Sequence, residues 1–554
     1  MQDDTNLSEI KIEGQKIIER KELSLFESLI PVLILMSLLA YNVFYADGIW
    51  FGDYSNQYIL LVGGVFACGI GFLNKVSLSE MIVEVWENWK SVFVPILILF
   101  LVGALMGTWL ISGIIPAFVY FGLQVLSPEI FLPASVVIAA IISIATGSSW
   151  TTSATVGIAL VSIGSALGIP TGMIAGAVIS GAYFGDKMSP LSDTTNLAAA
   201  MAGTNLFTHI KYMYITTVPT IIVTLIVFAV LSVNVTATGT TDITFILQTI
   251  DAYFNITPWL FIVPCSVIIL IILKIKPLIA LVTGVVLAAI FAMVFQSNLI
   301  HSLSENKTNF IANAVLTDVN IAIDESAYIA VFSDTDLKKI KKDKNLKNLF
   351  TDVDLEGVYT KKVLVNFFSS TAVSQDLVQF KAENLEKLIT IKRLKKLFSS
   401  AGMNGMIWTI LLIVCAMVFG GIMDAIGALA KITKSLLSVA TSVFGLFAST
   451  VVSCLGLNII TSDQYLALVI PGKMFKKAYE DKGLAPENLS RTLEDSGTVT
   501  SVLIPWNTCG AYQSSVLGVG VSEYFFYAIF NWLSPFTTLL FAALNIKIRQ
   551  LIKK

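Results

Sequence analysis

The stretch SGAYFGDKMSPLSDTTNLAAA, residues 180–200, sets Asp186, Lys187 and Asp193 between apolar segments on either side. An ionisable residue at the centre of a bilayer costs about 3 kcal/mol on insertion scales, so three together point to function. Gly185, Ser189 and Pro190 break a helix at the same place. A broken helix frees carbonyl groups, which can join Asp193, Ser189, Thr194, Thr195 and Asn196 as hard oxygen ligands for an alkali cation. The competing reading is an interfacial loop in which Asp186 and Lys187 form a solvated pair. A carboxylate held away from water can take a proton or a cation but not both, because desolvation disfavours its bare charge. Lys187 would tune the proton affinity of Asp186 and titrate jointly with it.

A second polar-interrupted region follows in SCLGLNIITSDQYL (453–466) and EDSGTVTSVLIPWNTCGAY (494–512). It offers Asn458, Thr461, Ser462, Asp463, Asp495, Thr498, Asn507 and Thr508 as further oxygen ligands, with Pro505 as a break. Glu494 and Asp495 stand beside Arg491, which allows a cytoplasmic salt bridge instead. Asp424 is weighed evenly between ion ligand and interfacial anchor. An offset of 309 places Gly147 over Gly456, Thr152 over Thr461, Ser153 over Ser462 and Asp186 over Asp495, which adds Thr152 and Ser153 to the candidate ligands. Paired, interrupted segments in two halves of a membrane chain mark a transporter's binding site, since unwound backbone at membrane depth must line a cavity.

The elements that must position these residues follow from composition. Of 554 residues, 55% are hydrophobic and only 13% charged, with a mean hydropathy of +0.78. A soluble domain carries about 25% charged residues. Apolar runs long enough for a bilayer helix, about 20 residues, start near Glu27, Gln57, Ser91, Phe131, Met213, Pro258, Pro277, Met403, Leu436 and Glu523. Four further stretches, 147–168, 172–200, 456–471 and 494–515, are apolar but broken. The expected architecture is an all-α polytopic membrane protein built from two inverted repeats with broken or re-entrant helices. It divides into a cytoplasmic segment 1–25, a first membrane half 26–296, a small extracytoplasmic insertion 297–400 and a second membrane half 401–554. The crossing number is 12 or 14, depending on whether 147–168 and 456–471 each cross.

Of 36 Lys and Arg, 15 fall in 297–400, and the short connections at 74–90 and 472–494 are basic while 46–56 and 233–257 carry none. The positive-inside rule then places both termini in the cytoplasm. A net charge of −2 gives no field for nucleic acid. The five cysteines are scattered without metal or disulfide spacing, and the polar amino terminus is unlike a signal peptide. The expected partners are the lipid bilayer and the transported Na+ and H+, with no cofactor and with homo-oligomerisation left open. The four arginines lie outside the spanning segments on this reading, which favours a bare cation over a carboxylate substrate.

GSSWTTSATVGIAL, GAYFGDKMSPLSDTTNLA, HIKYM, FGGIMDAIG and LIPWNTCGAY together resemble the NhaC family of sodium/proton antiporters, within the wider ion transporter superfamily. The resemblance spans about residues 27–545, and its long GAYFGDKMSPLSDTTNL match is highly specific. It implies a secondary transporter of the cell membrane that exchanges Na+ for H+. The family also contains Na+- and H+-linked exchangers of malate and lactate, which stand as the alternative.

Overall fold

The computed structural model describes residues 11–12, 15–16, 23–46, 49–236, 243–273, 275–304, 307–343, 346, 349, 364–365, 367–368 and 375–551. Most of the segment 1–25, and much of 344–374 within the insertion, lie outside the described residues. The described chain is helical almost throughout, with strand pairs only two residues long. Eight of its helices are long and apolar enough to cross a membrane, or nine if Ile243–Tyr253 and Pro258–Ile272, bent by 86° at their junction, count as one span. This is a multi-pass membrane protein.

Local sequence sets the helix ends. Ser24 and Ser77 cap the helices Leu25–Tyr45 and Leu78–Ile111, each in a reciprocal box with Glu27 or Glu80. The helix Pro128–Thr146 starts with proline in its first turn and stops at Gly147, whose φ of +71° suits a residue without a side chain.

That helix packs extensively against Thr171–Met188. Small residues make the approach close: a Cβ on Gly181 would lie 2.2 Å from the Val136 carbonyl oxygen, and one on Gly185 2.4 Å from that of Ala140. The Ser143 hydroxyl donates to the Ala182 carbonyl across the same seam at 2.6 Å. Without a hydrophobic drive between helices in lipid, such contacts carry the packing. Gly181→Ala is therefore expected to cost about 1–3 kcal/mol by overpacking, read as a lower unfolding temperature in detergent. An unchanged transition would show that the seam tolerates separation.

The two halves follow one plan. Left-handed residues at Gly147, Gly168 and Gly203 recur 315 positions later at Ser462, Gly483 and Gly518. The helix-capping side chains Ser148 and Ser192 recur at the same spacing as Asp463 and Asn507. Helices Pro128–Thr146, Thr171–Met188 and Asp193–Ala202 correspond to Val443–Ile460, the segment from Pro486 and Thr508–Leu517. The offset of 309 read from residue identities is thus corrected to 315, because it is the turns and caps that recur. In this register Asp186 stands opposite Ser501, and Asp495 opposite Ser180.

The described part of the insertion gathers around Phe332, Ile340, Leu346, Phe368, Leu385 and Leu388, an apolar cluster of its own. A short antiparallel pair, Val319–Asn320 with Ser399–Ser400, draws its two ends together. Its helix Lys307–Leu316 lies against Leu78–Ile111, where a Cβ on Gly107 would fall 1.8 Å from the Ala314 carbonyl oxygen.

Candidate ion-binding site

The first half supplies a carboxylate at a helix start. Thr171–Met188 carries Asp186 and Lys187 in its last turn, and Ser189 and Pro190 end it. One oxygen of Asp186, Oδ2, accepts from the Ser149 backbone N–H at 3.0 Å and from the Ser149 hydroxyl at 2.7 Å. Ser149 opens the helical segment that follows Gly147, whose free N–H groups and dipole favour negative charge.

The second half supplies two carboxylates on a π-turn. The helix from Pro486 widens at Glu494–Thr498, a departure found often at functional sites. Glu494 and Asp495 are both completely buried. Lys187, also completely buried, donates to Asp495 Oδ1, while Oδ2 of the same carboxylate accepts from Thr216 at 2.9 Å and from Thr538. Glu494 Oε1 accepts from Thr194 at 3.1 Å and Thr195 at 3.5 Å, so the first half grips the second here too. Glu494 Oε2 is buried without a well-formed hydrogen bond, and the Thr498 hydroxyl, one turn on, is a neighbour of this carboxylate with no other partner.

Charge does not balance in this core. Asp186, Asp463, Glu494 and Asp495 are buried acids, against the buried cations Lys187 and Arg491, while buried Glu487 is paired with Arg549 and buried His209 is held by Ser490. A site with two more acids than bases has room for a cation or for protons. Arg491 lies over the Tyr212 ring at 4.7 Å, and none of its guanidinium nitrogens meets an acceptor.

The remaining residues expected as ligands divide. Asp463 caps the helix Gln464–Asp481 through Leu466 N–H at 2.9 Å, and Thr461 donates to the Leu457 carbonyl at 2.9 Å. Asn458 and Asn507 are amide clamps: Asn458 donates to the Gly497 carbonyl at 2.7 Å and Asn507 to the Asn458 carbonyl at 3.0 Å. The Thr508 N–H closes the same junction on the Ser462 carbonyl at 2.9 Å. The Ser153 and Ser462 hydroxyls are buried without partners. Thr152 is turned to the Ser148 carbonyl at 2.9 Å and Ser189 to that of Ile144 at 2.8 Å.

Several expectations are corrected. Asp193 and Asn196 are exposed, Asp193 as the first residue of Asp193–Ala202 and Asn196 turned back on the Pro190 and Ser192 carbonyls. Lys187 joins Asp495 rather than Asp186, because the end of Thr171–Met188 faces the π-turn. Arg491 makes no salt bridge to Glu494 or Asp495 among the described contacts; like the other arginines it lies outside the candidate spans, but it is fully buried within the protein. Ser149, Glu494, Thr216 and Thr538 were missed as site residues. Glu494 had a signal, standing next to Asp495 at the start of a broken segment. Thr216 and Thr538 are hydroxyls in apolar helices, where the usual partner is the helix's own carbonyl.

Residues 181–327 and 354–546 match the Na+/H+ antiporter family. The chain is 32% identical to the Na+/H+ antiporter NhaC of Alkalihalophilus pseudofirmus, over 88% of this chain and 89% of that protein. It is 30% identical to NhaC of Bacillus subtilis, over 85% of this chain and 90% of the relative. The malate-2H+/Na+-lactate antiporter of Bacillus subtilis is also 30% identical, over 92% of each chain. Relatives alike along nearly their whole length, and a match that takes in the Asp186 and Glu494 segments alike, place the entire membrane body in one lineage: the chain belongs to the Na+/H+ antiporter family.

Proposed function

We propose that this protein is the cell membrane's exchanger of cytoplasmic Na+ for external H+, working by alternating access with both termini in the cytoplasm. The two halves, one plan carried in opposite membrane orientations, would rock about the buried acids between them. The observation that carries this reading is the excess of buried acid over base where both halves meet. A site of that kind attracts one positive occupant at a time, Na+ or a proton, and exchange follows when each displaces the other. The test is purified protein in liposomes containing a pH-sensitive dye. An imposed Na+ gradient should move protons in the opposite direction, and a flat trace would reject the reading.

A second reading, exchange that also carries a small carboxylate, is favoured by Arg491, a buried guanidinium without an acceptor. Guanidinium and carboxylate form strong paired hydrogen bonds. Repeating the flux assay with malate and lactate separates the two: a proton flux that requires either acid selects the second.

A further inference from the structure

The geometry points to Glu494 as the inner cation ligand of this antiporter, its Oε2 atom and the Thr498 hydroxyl together forming the binding edge for Na+. The inference rests on the exchange reading above and names the atoms at which it occurs.

Three features set Glu494 apart from its neighbours. Asp495 is fully occupied, with Lys187 on one oxygen and Thr216 and Thr538 on the other. Asp186 spends Oδ2 on Ser149. Glu494 alone of the three keeps a fully buried oxygen without a well-formed hydrogen bond, and the Thr498 hydroxyl, set beside Glu494 by the π-turn, has no other partner. A buried carboxylate oxygen costs several kcal/mol unless something positive meets it. A Na+ ion supplies that charge, and carboxylate and hydroxyl oxygens are the hard ligands it takes. Thr194 adds a third: its hydroxyl hydrogen points to Glu494 Oε1, which leaves its lone pairs free apart from the contact with Ser192 at 3.1 Å.

On this assignment Asp186 stands on the more exposed side of Glu494. Asp193 and Tyr465 are exposed, and both lie with Asp186 and Asp463 around one small region. Asp186 is 8% exposed, Glu494 not at all, and the two are electrostatic neighbours. A cation arriving from the Asp193 side meets Asp186 first and Glu494 behind it. The inner position also ties Na+ to both halves at once, since Thr194 belongs to the first and Glu494 to the second. Loading there would tighten the contact that alternating access must loosen.

The test is Na+-driven proton flux in liposomes for wild type, Glu494→Gln, Glu494→Asp and Thr498→Val, each first checked for a monodisperse, folded detergent preparation. Glu494→Gln should raise the half-saturating Na+ concentration at least tenfold or abolish flux, and Glu494→Asp should recover part of the affinity. Thr498→Val, which keeps the side chain's shape and removes one oxygen, should raise it several-fold and keeps the test decisive if Glu494→Gln does not fold. Active Glu494→Gln or Thr498→Val with wild-type Na+ dependence would overturn the assignment. A wild-type protein with no Na+-driven flux would instead reject the exchange reading itself.

Discussion

Lys187→Met lowers the unfolding free energy of the detergent-solubilised protein by about 3–5 kcal/mol, the cost of leaving one charge of a buried pair alone. Lys187 and Asp495 are both fully buried, and they join the helix Thr171–Met188 to the π-turn Glu494–Thr498. Without the ammonium, Asp495 keeps only the hydroxyls of Thr216 and Thr538. Neutral hydroxyls do not replace a countercharge in a dry interior. Removing both charges is a different experiment. Replacing a whole buried pair by apolar side chains of similar volume is often neutral or stabilising, so the double variant Lys187→Met, Asp495→Leu should recover most of the lost stability. Unfolding followed by tryptophan fluorescence measures all three proteins. A single variant as stable as wild type would show that the pair does not hold the halves together.

Asp186→Asn leaves the fold intact and stops exchange. The amide oxygen can still accept from the Ser149 N–H and hydroxyl, so the local hydrogen bonds survive. The change in stability should stay within about 1 kcal/mol. An amide, however, neither binds a proton at working pH nor offers a countercharge to Na+. Na+-driven proton movement should therefore fall to the leak of protein-free liposomes. Exchange at the wild-type rate in this variant would move the outer carboxylate elsewhere, with Asp463 as another buried candidate.

The membrane body was legible because bilayers allow little else. Eight of the ten long apolar runs fall on helices long enough to span, while those from Pro258 and Glu523 fall on a bent pair and on the shorter helix Ile529–Ala543, since a lipid-facing segment must satisfy its own backbone. The helix Ile114–Val125 falls outside the apolar runs because 12 residues are too few to span. Within the site, sequence located the two breaks and most of the oxygen-bearing residues around them. It could not choose partners. Whether Lys187 faces Asp186 or Asp495 depends on how two segments 308 residues apart are packed, and adjacency in sequence argued for the wrong neighbour. Arg491 misled in the same way: a cation beside two acids reads as a salt bridge until burial places its guanidinium over Tyr212.

Ser462 occupies the turn that Gly147 occupies in the other half, with φ at +58° against +71°. Glycine enters that conformation freely, whereas a residue with a Cβ is held there at a cost of about 1–2 kcal/mol. In mechanical terms the two halves share one shape, and only the second holds this turn against a steric cost. A movement that lets Ser462 leave its turn recovers that energy, while the same movement at Gly147 recovers none. Two halves drawn to one plan are thus unequal in the work they do when they bend.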